Sequence, residues 1–144
     1  MSLSTAELSA MRLDGEVVPL GDTFVHALSV TTPESRVRSL MLTIPHTHVL
    51  AGHAAAWVHG CAALPRMLDV LVRAHVRPVR RTDPRLRIRR EDLHIDDDTM
   101  WIGGMRVLTR EKTAAALLAG SACDADDEWA ARLLMAERCS ADRP

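Results

Sequence analysis

The sequence predicts an α+β fold in which a small mixed sheet is packed by helices, and three stretches carry that prediction. Met100-Trp101-Ile102, Gly103-Gly104, Met105-Arg106-Val107 reads as a hairpin, because both turn residues take positive φ without steric cost. Thr31-Thr32-Pro33-Glu34 combines a hydroxyl cap, a first-position proline and a first-turn acid, which together start a helix. Arg85 to Arg90 alternates, with Leu86 and Ile88 toward one side of a strand and Arg85, Arg87 and Arg89 toward the other.

The remaining elements follow in order. Ser4 to Met11 suits a short helix that Gly15 and Pro19 prevent from continuing. A hairpin over about 16–26 places Gly21-Asp22 in its turn, and Pro19 confines its first strand to an edge. Val37, Leu40, Met41 and Ile44 recur at helical spacing, so a helix over 33–44 is expected to stop at Pro45. His48 to Ala51 reads as a short strand, and 53–62 as a helix apolar nearly all round and therefore buried. Asp69-Val70-Leu71-Val72 suits a central strand, and Asp96-Asp97-Asp98 a solvated turn before the hairpin over about 99–109. Thr109 caps a helix over 109–119 that Gly120 ends, and a last helix over 126–138 carries acids in its first turn. No regular βαβ repeat joins these elements, which favours α+β over a doubly wound sheet.

A chain of 144 residues is long enough for one domain burying roughly 70% of its unfolded surface. With three Trp, one Phe and no Tyr, aliphatic residues and alanine must fill the core, and platforms for stacking bases are scarce. Cys61, Cys123 and Cys139 are odd in number and widely spaced, which gives neither a disulfide framework nor a zinc ribbon. No apolar run reaches the roughly 20 residues of a membrane span, and no secretory signal opens the chain, so a cytoplasmic protein without a membrane partner is expected.

Charge is segregated. From Arg66 to Arg90 nine arginines face only Asp69 and Asp83, and Glu91, Asp92 and Asp96 to Asp98 follow directly. Arg80, Arg81, Arg85, Arg87, Arg89 and Arg90 form a candidate surface for phosphates or an acidic partner. The competing expectation is that these arginines pair with Glu91, Asp92 and the Asp96 to Asp98 run.

Four of the seven histidines fall within residues 46–60. His46, His48 and His53 are a candidate zinc or nickel set, since His46 and His48 point the same way on an extended segment. Against this, no carboxylate lies between Glu34 and Asp69. His53 and His59 also stand on different sides of a helix, so the plainer reading makes them end residues of a buried helix. No nucleophile motif, phosphate loop or HExxH is present, so no catalytic residue is assigned.

His53-Ala54-Ala55-Ala56-Trp57-Val58-His59-Gly60, Asp69 to Val72, Arg89-Arg90 with Leu93, Ile102 to Val107, and Thr109 through Thr113 occur in an order and spacing that resembles the actinobacterial AbiEi-like proteins. These are antitoxins and transcriptional-regulator-like proteins of type IV toxin–antitoxin systems, and the resemblance spans about residues 30 to 138. It implies a family core motif of Trp57, Gly60, Thr109, Lys112 and Thr113, with Trp57 anchoring a core helix. It further implies a non-enzymatic protein without cofactor, whose partners are operator DNA or a nucleotidyltransferase toxin, and a homodimer. Residues 1–29 then correspond to the remnant of a winged-helix wing, or a short N-terminal hairpin, and 30–144 to the core domain. The chain departs from the pattern where Arg110 replaces a proline and Ala116 an acid, which would leave Lys112 without its partner. The short front end favours an alternative, a stand-alone interaction or oligomerisation module without DNA binding.

Overall fold

The computed structural model describes residues 3–77 and 83–136. The first helix, α1 (Thr5–Leu13), starts at a capping box in which Ser4 Oγ accepts the Glu7 N–H and the Glu7 carboxylate accepts the Ser4 N–H. Strands β1 (Val17–Leu20) and β2 (Thr23–His26) pair antiparallel as a separate two-stranded sheet. Their turn has positive φ at Gly21 and not at Asp22, as a glycine-first hairpin turn requires. This hairpin is not detached: Leu20 belongs to the main core and Val25 packs against it.

Helix α2 (Pro33–Leu40) begins at the expected Thr32 cap but ends four residues earlier than the 33–44 reading. The Met41 N–H turns back to Arg38 O, and both Thr43 and Ile44 donate to Leu40 O, so the chain tightens into turns before Pro45. Strand β3 is only Val49–Leu50, because Gly52, at φ 54°, swings the chain directly into α3 (Gly52–Val58). The helix expected over 53–62 therefore starts one residue earlier and stops sooner. Gly60 N–H bonds Trp57 O and Cys61 N–H bonds Ala56 O, the paired bonds of a helix ended by a left-handed glycine, here at φ 82°.

Strands β4 (Leu68–Arg73) and β5 (Leu86–Glu91) run parallel. The triple-aspartate stretch, expected as a solvated turn, forms a single helical turn, α4 (Ile95–Asp98), closed by Asp98 accepting the His94 N–H. Strands β6 (Thr99–Ile102) and β7 (Met105–Leu108) flank Gly103 and Gly104, both at positive φ as the hairpin demanded. Helix α5 (Arg110–Ala119) is capped by Thr109, and α6 (Ala125–Ala136) ends the described chain, so the last residues of the helix expected to 138 lie outside the description.

The five strands order as β5-β4-β3-β7-β6, with β3 antiparallel to β4 and parallel to β7. This mixed sheet together with the helices is the predicted α+β class. The main core joins Leu50, Val70, Leu86, Met105 and Val107 of the sheet to Val37, Leu40 and Ile44. A second cluster of small residues, among them Ala56, Ala114, Ala130 and Ala131 around Leu117 and Leu134, lets α3, α5 and α6 approach closely. Alanine thus does the filling that the scarcity of aromatics called for. Among the described residues no helix is long and apolar enough to cross a membrane.

Candidate nucleic-acid interface

Among the described residues strand β5 is an edge of the sheet, bonded only to β4. Its alternation works as read from the sequence: Leu86 is buried, Ile88 half-buried, and Arg87 and Arg89 exposed. Arg90 follows Leu86 and Ile88 in parity yet is exposed at the end of the strand. Register sets Arg87 opposite Asp69, Arg89 opposite Leu71 and Arg90 opposite Val72.

The arginines divide by their partners. Arg85, just before the strand, donates from Nη1 to Asp22 at 2.8 Å and from Nη2 to Asp83 at 2.9 Å and Thr43 at 3.3 Å. These contacts hold the Asp22 carboxyl below the usual carboxylate range, first through the Arg85 hydrogen bond, and push the Arg85 guanidinium further up. Arg85 is therefore a clamp between the N-terminal hairpin and the core, not a free surface charge. Arg87 Nε lies 3.7 Å from Asp69 Oδ1, outside hydrogen-bond reach. Arg89 and Arg90 make no ion pair among the described residues. Arg80 and Arg81 lie outside the described residues.

The expectation that Glu91, Asp92 and Asp96 to Asp98 neutralise this strand is corrected. The partners are Asp22, Asp83 and Asp69, while Asp96 and Asp98 stand beside Arg106 and Lys112, each pair 3.9 Å apart. Parallel pairing explains this: β5 runs beside β4, not beside β6, so the acids that follow it are carried to the other side of the sheet. Lys112, expected to lack a partner, has Asp98.

The histidines do not come together. His53 Nε2 pairs with Asp127 Oδ1 at 2.5 Å, whereas His46 and His48 line a different cavity. Among the described residues no three of His, Cys, Asp and Glu are placed to hold a metal. His59, at the end of α3, shares a 2.8 Å hydrogen bond between Nε2 and the Leu108 carbonyl, joining α3 to β7. His48 is buried, with Nδ1 3.2 Å from Thr47 Oγ1, and burial lowers its affinity for a proton.

The implied core motif is structural in every contact described. Trp57 is buried with the Arg36 guanidinium 5.8 Å from its ring centre, and Arg36 Nη1 donates to Trp57 O at 2.9 Å. A Cβ on Gly60 would stand 2.9 Å from that same Nη1. Thr109 caps α5, and Thr113 is buried and donates to Leu108 O at 3.4 Å.

Two arrangements escaped the sequence reading. His53 and Asp127 are 74 residues apart, and no local pattern links them. Arg106 stacks over Trp101 at 4.7 Å, which the Gly103-Gly104 turn foretells, since a two-residue turn there makes 101 and 106 cross-strand neighbours. No protein-family profile matches this chain, and no curated protein matches it significantly.

Proposed function

We propose that this chain is a non-enzymatic AbiEi-like binding protein, acting as a transcriptional regulator or antitoxin, that contacts DNA along the β5 edge. The observation that carries the reading is the pair Arg89 and Arg90, exposed on an edge strand with no carboxylate in ion-pair range among the described residues. Unpaired guanidiniums on a rigid strand are suited to phosphate oxygens, whose neutralisation releases counterions and makes binding salt-dependent. Arg87 extends this surface by one strand period, with its side chain 59% exposed although Asp69 is near.

The test is a salt series of fluorescence-anisotropy binding to the DNA upstream of the chain's own coding sequence, with random duplex as control. Reversing Arg89 and Arg90 to Glu is expected to weaken binding to every duplex and to lower the salt slope by about 2, one unit per lost phosphate contact. Unchanged binding by the double variant would overturn the surface assignment, and no DNA binding even at low salt would overturn the regulator reading.

A second reading, a protein-interaction or oligomerisation module, rests on a different surface. Leu118 of α5 and Trp129 and Met135 of α6 are large apolar side chains left exposed on the outer helices. A dimer indifferent to salt and lost on Trp129→Glu is the outcome this reading expects.

A further inference from the structure

A cavity of about 300 Å³ opens where β4 ends beside the start of β3 and the β6–β7 hairpin. Arg73, Arg106, Trp101 and His46 supply its polar and aromatic lining, with Val76 and Ile95 as apolar wall. Among the described residues no carboxylate lines it. The lining is therefore cationic, in a chain whose formal net charge is −1.

The two arginines differ in a way that suits a ligand site. Arg73, the last residue of β4, makes no hydrogen bond through its side chain and no ion pair among the described residues, even with Glu91, its register partner on β5. Arg106 is held in place beforehand: Nη1 donates to Thr99 Oγ1 at 3.0 Å and approaches Ile95 O at 3.4 Å, while the guanidinium lies over the Trp101 ring. Asp96, at 3.9 Å from Nη2, stands beyond hydrogen-bond reach with its own side chain 90% exposed. A fixed guanidinium fork beside an unpaired one is the arrangement that takes a tetrahedral oxyanion.

Trp101 adds the second half of the recognition. It is 60% exposed despite the stacked arginine, so indole surface remains where a flat ring can lie. A volume near 300 Å³ is at the small end of ligand cavities and suits one base, one sugar and one phosphate.

We propose that this cavity binds a nucleoside 5′-monophosphate, its phosphate between Arg73 and Arg106 and its base on Trp101. The site is separate from the Arg89–Arg90 surface and does not depend on that surface contacting DNA.

Calorimetric titration of the full chain with AMP and GMP, and with adenosine and inorganic phosphate as the separate halves, tests it. One nucleotide per chain is expected, bound about tenfold or more tighter than either half, with quenching of tryptophan fluorescence. Arg73→Glu and Trp101→Leu each change an exposed or half-exposed side chain, and each is expected to weaken AMP about tenfold while the urea midpoint holds. Arg132→Glu, at an exposed position of α6, is expected to leave AMP binding as it is. The proposal is overturned if millimolar AMP and GMP do not bind, if phosphate alone binds as tightly as AMP, or if the Arg73 and Trp101 variants bind like the wild type.

Discussion

His48 is 1% exposed, and its Nε2 has no hydrogen-bond partner among the described residues. Burial without compensation favours the neutral ring, so the folded chain holds this proton less tightly than the unfolded chain, whose imidazole titrates near 6.5. A group depressed in this way makes the unfolded state the better proton binder, and stability is lost as pH falls below about 6.5 toward the folded value. His48→Phe, which removes an unsatisfied atom and keeps a buried ring, is expected to change the urea midpoint little at pH 8. At pH 5.5 it should unfold later than the wild type. An equal loss at both pH values would mean that His48 contributes by packing alone.

At the scale of elements, Arg110 shows how one side chain becomes an anchor between helices. Its guanidinium donates from Nε to Leu134 O at 2.9 Å and from Nη2 to Leu133 O at 3.3 Å, satisfying carbonyls in the last turns of α6. Its Nη2 also lies 3.4 Å from Cys61 Sγ, next to the end of α3. Arg110→Ala is expected to cost about 2 kcal/mol in urea unfolding, since charged donors to buried carbonyls are lost together. A change within a few tenths of a kcal/mol would show that water replaces these contacts. Elements defined by local chemistry were legible in the sequence: the Thr32 and Thr109 caps, both glycine turns and the Leu86–Ile88 alternation all lie where they were read. Element ends were less so, because Met41 and Ile44 are apolar at helical spacing although Pro45 bars the helix. Pairings over long distance were not legible. That Arg85 meets Asp22, 63 residues away, depends on the hairpin docking on the core, which no local pattern encodes.

For the whole molecule, the N-terminal hairpin is docked on the core of the main sheet. Leu20 is 9% exposed within the main core, and Asp22 ties the hairpin turn to Thr43 and Arg85. Leu20→Ala is therefore expected to destabilise the entire chain by about 2–3 kcal/mol in a single urea transition, followed by the fluorescence of Trp57 in the core. An early hairpin transition that leaves the Trp57 signal in place would instead make residues 1–29 an appendage. Register also organises the far side of the sheet, since Arg89, Leu71, Val49, Arg106 and Trp101 form one row across all five strands and so share a face. Arg87 and Arg89 thus stand on the same face as the cationic cavity, and Arg90 on the opposite one. Strand β5 has a further consequence for the chain among its own copies. An edge strand offers a free row of backbone donors and acceptors to any strand that approaches, and here the approaching copy would bring its own Arg87, Arg89 and Arg90 against these. Like charges at strand spacing repel, so these arginines act as gatekeepers against fibre growth from the open side of the sheet.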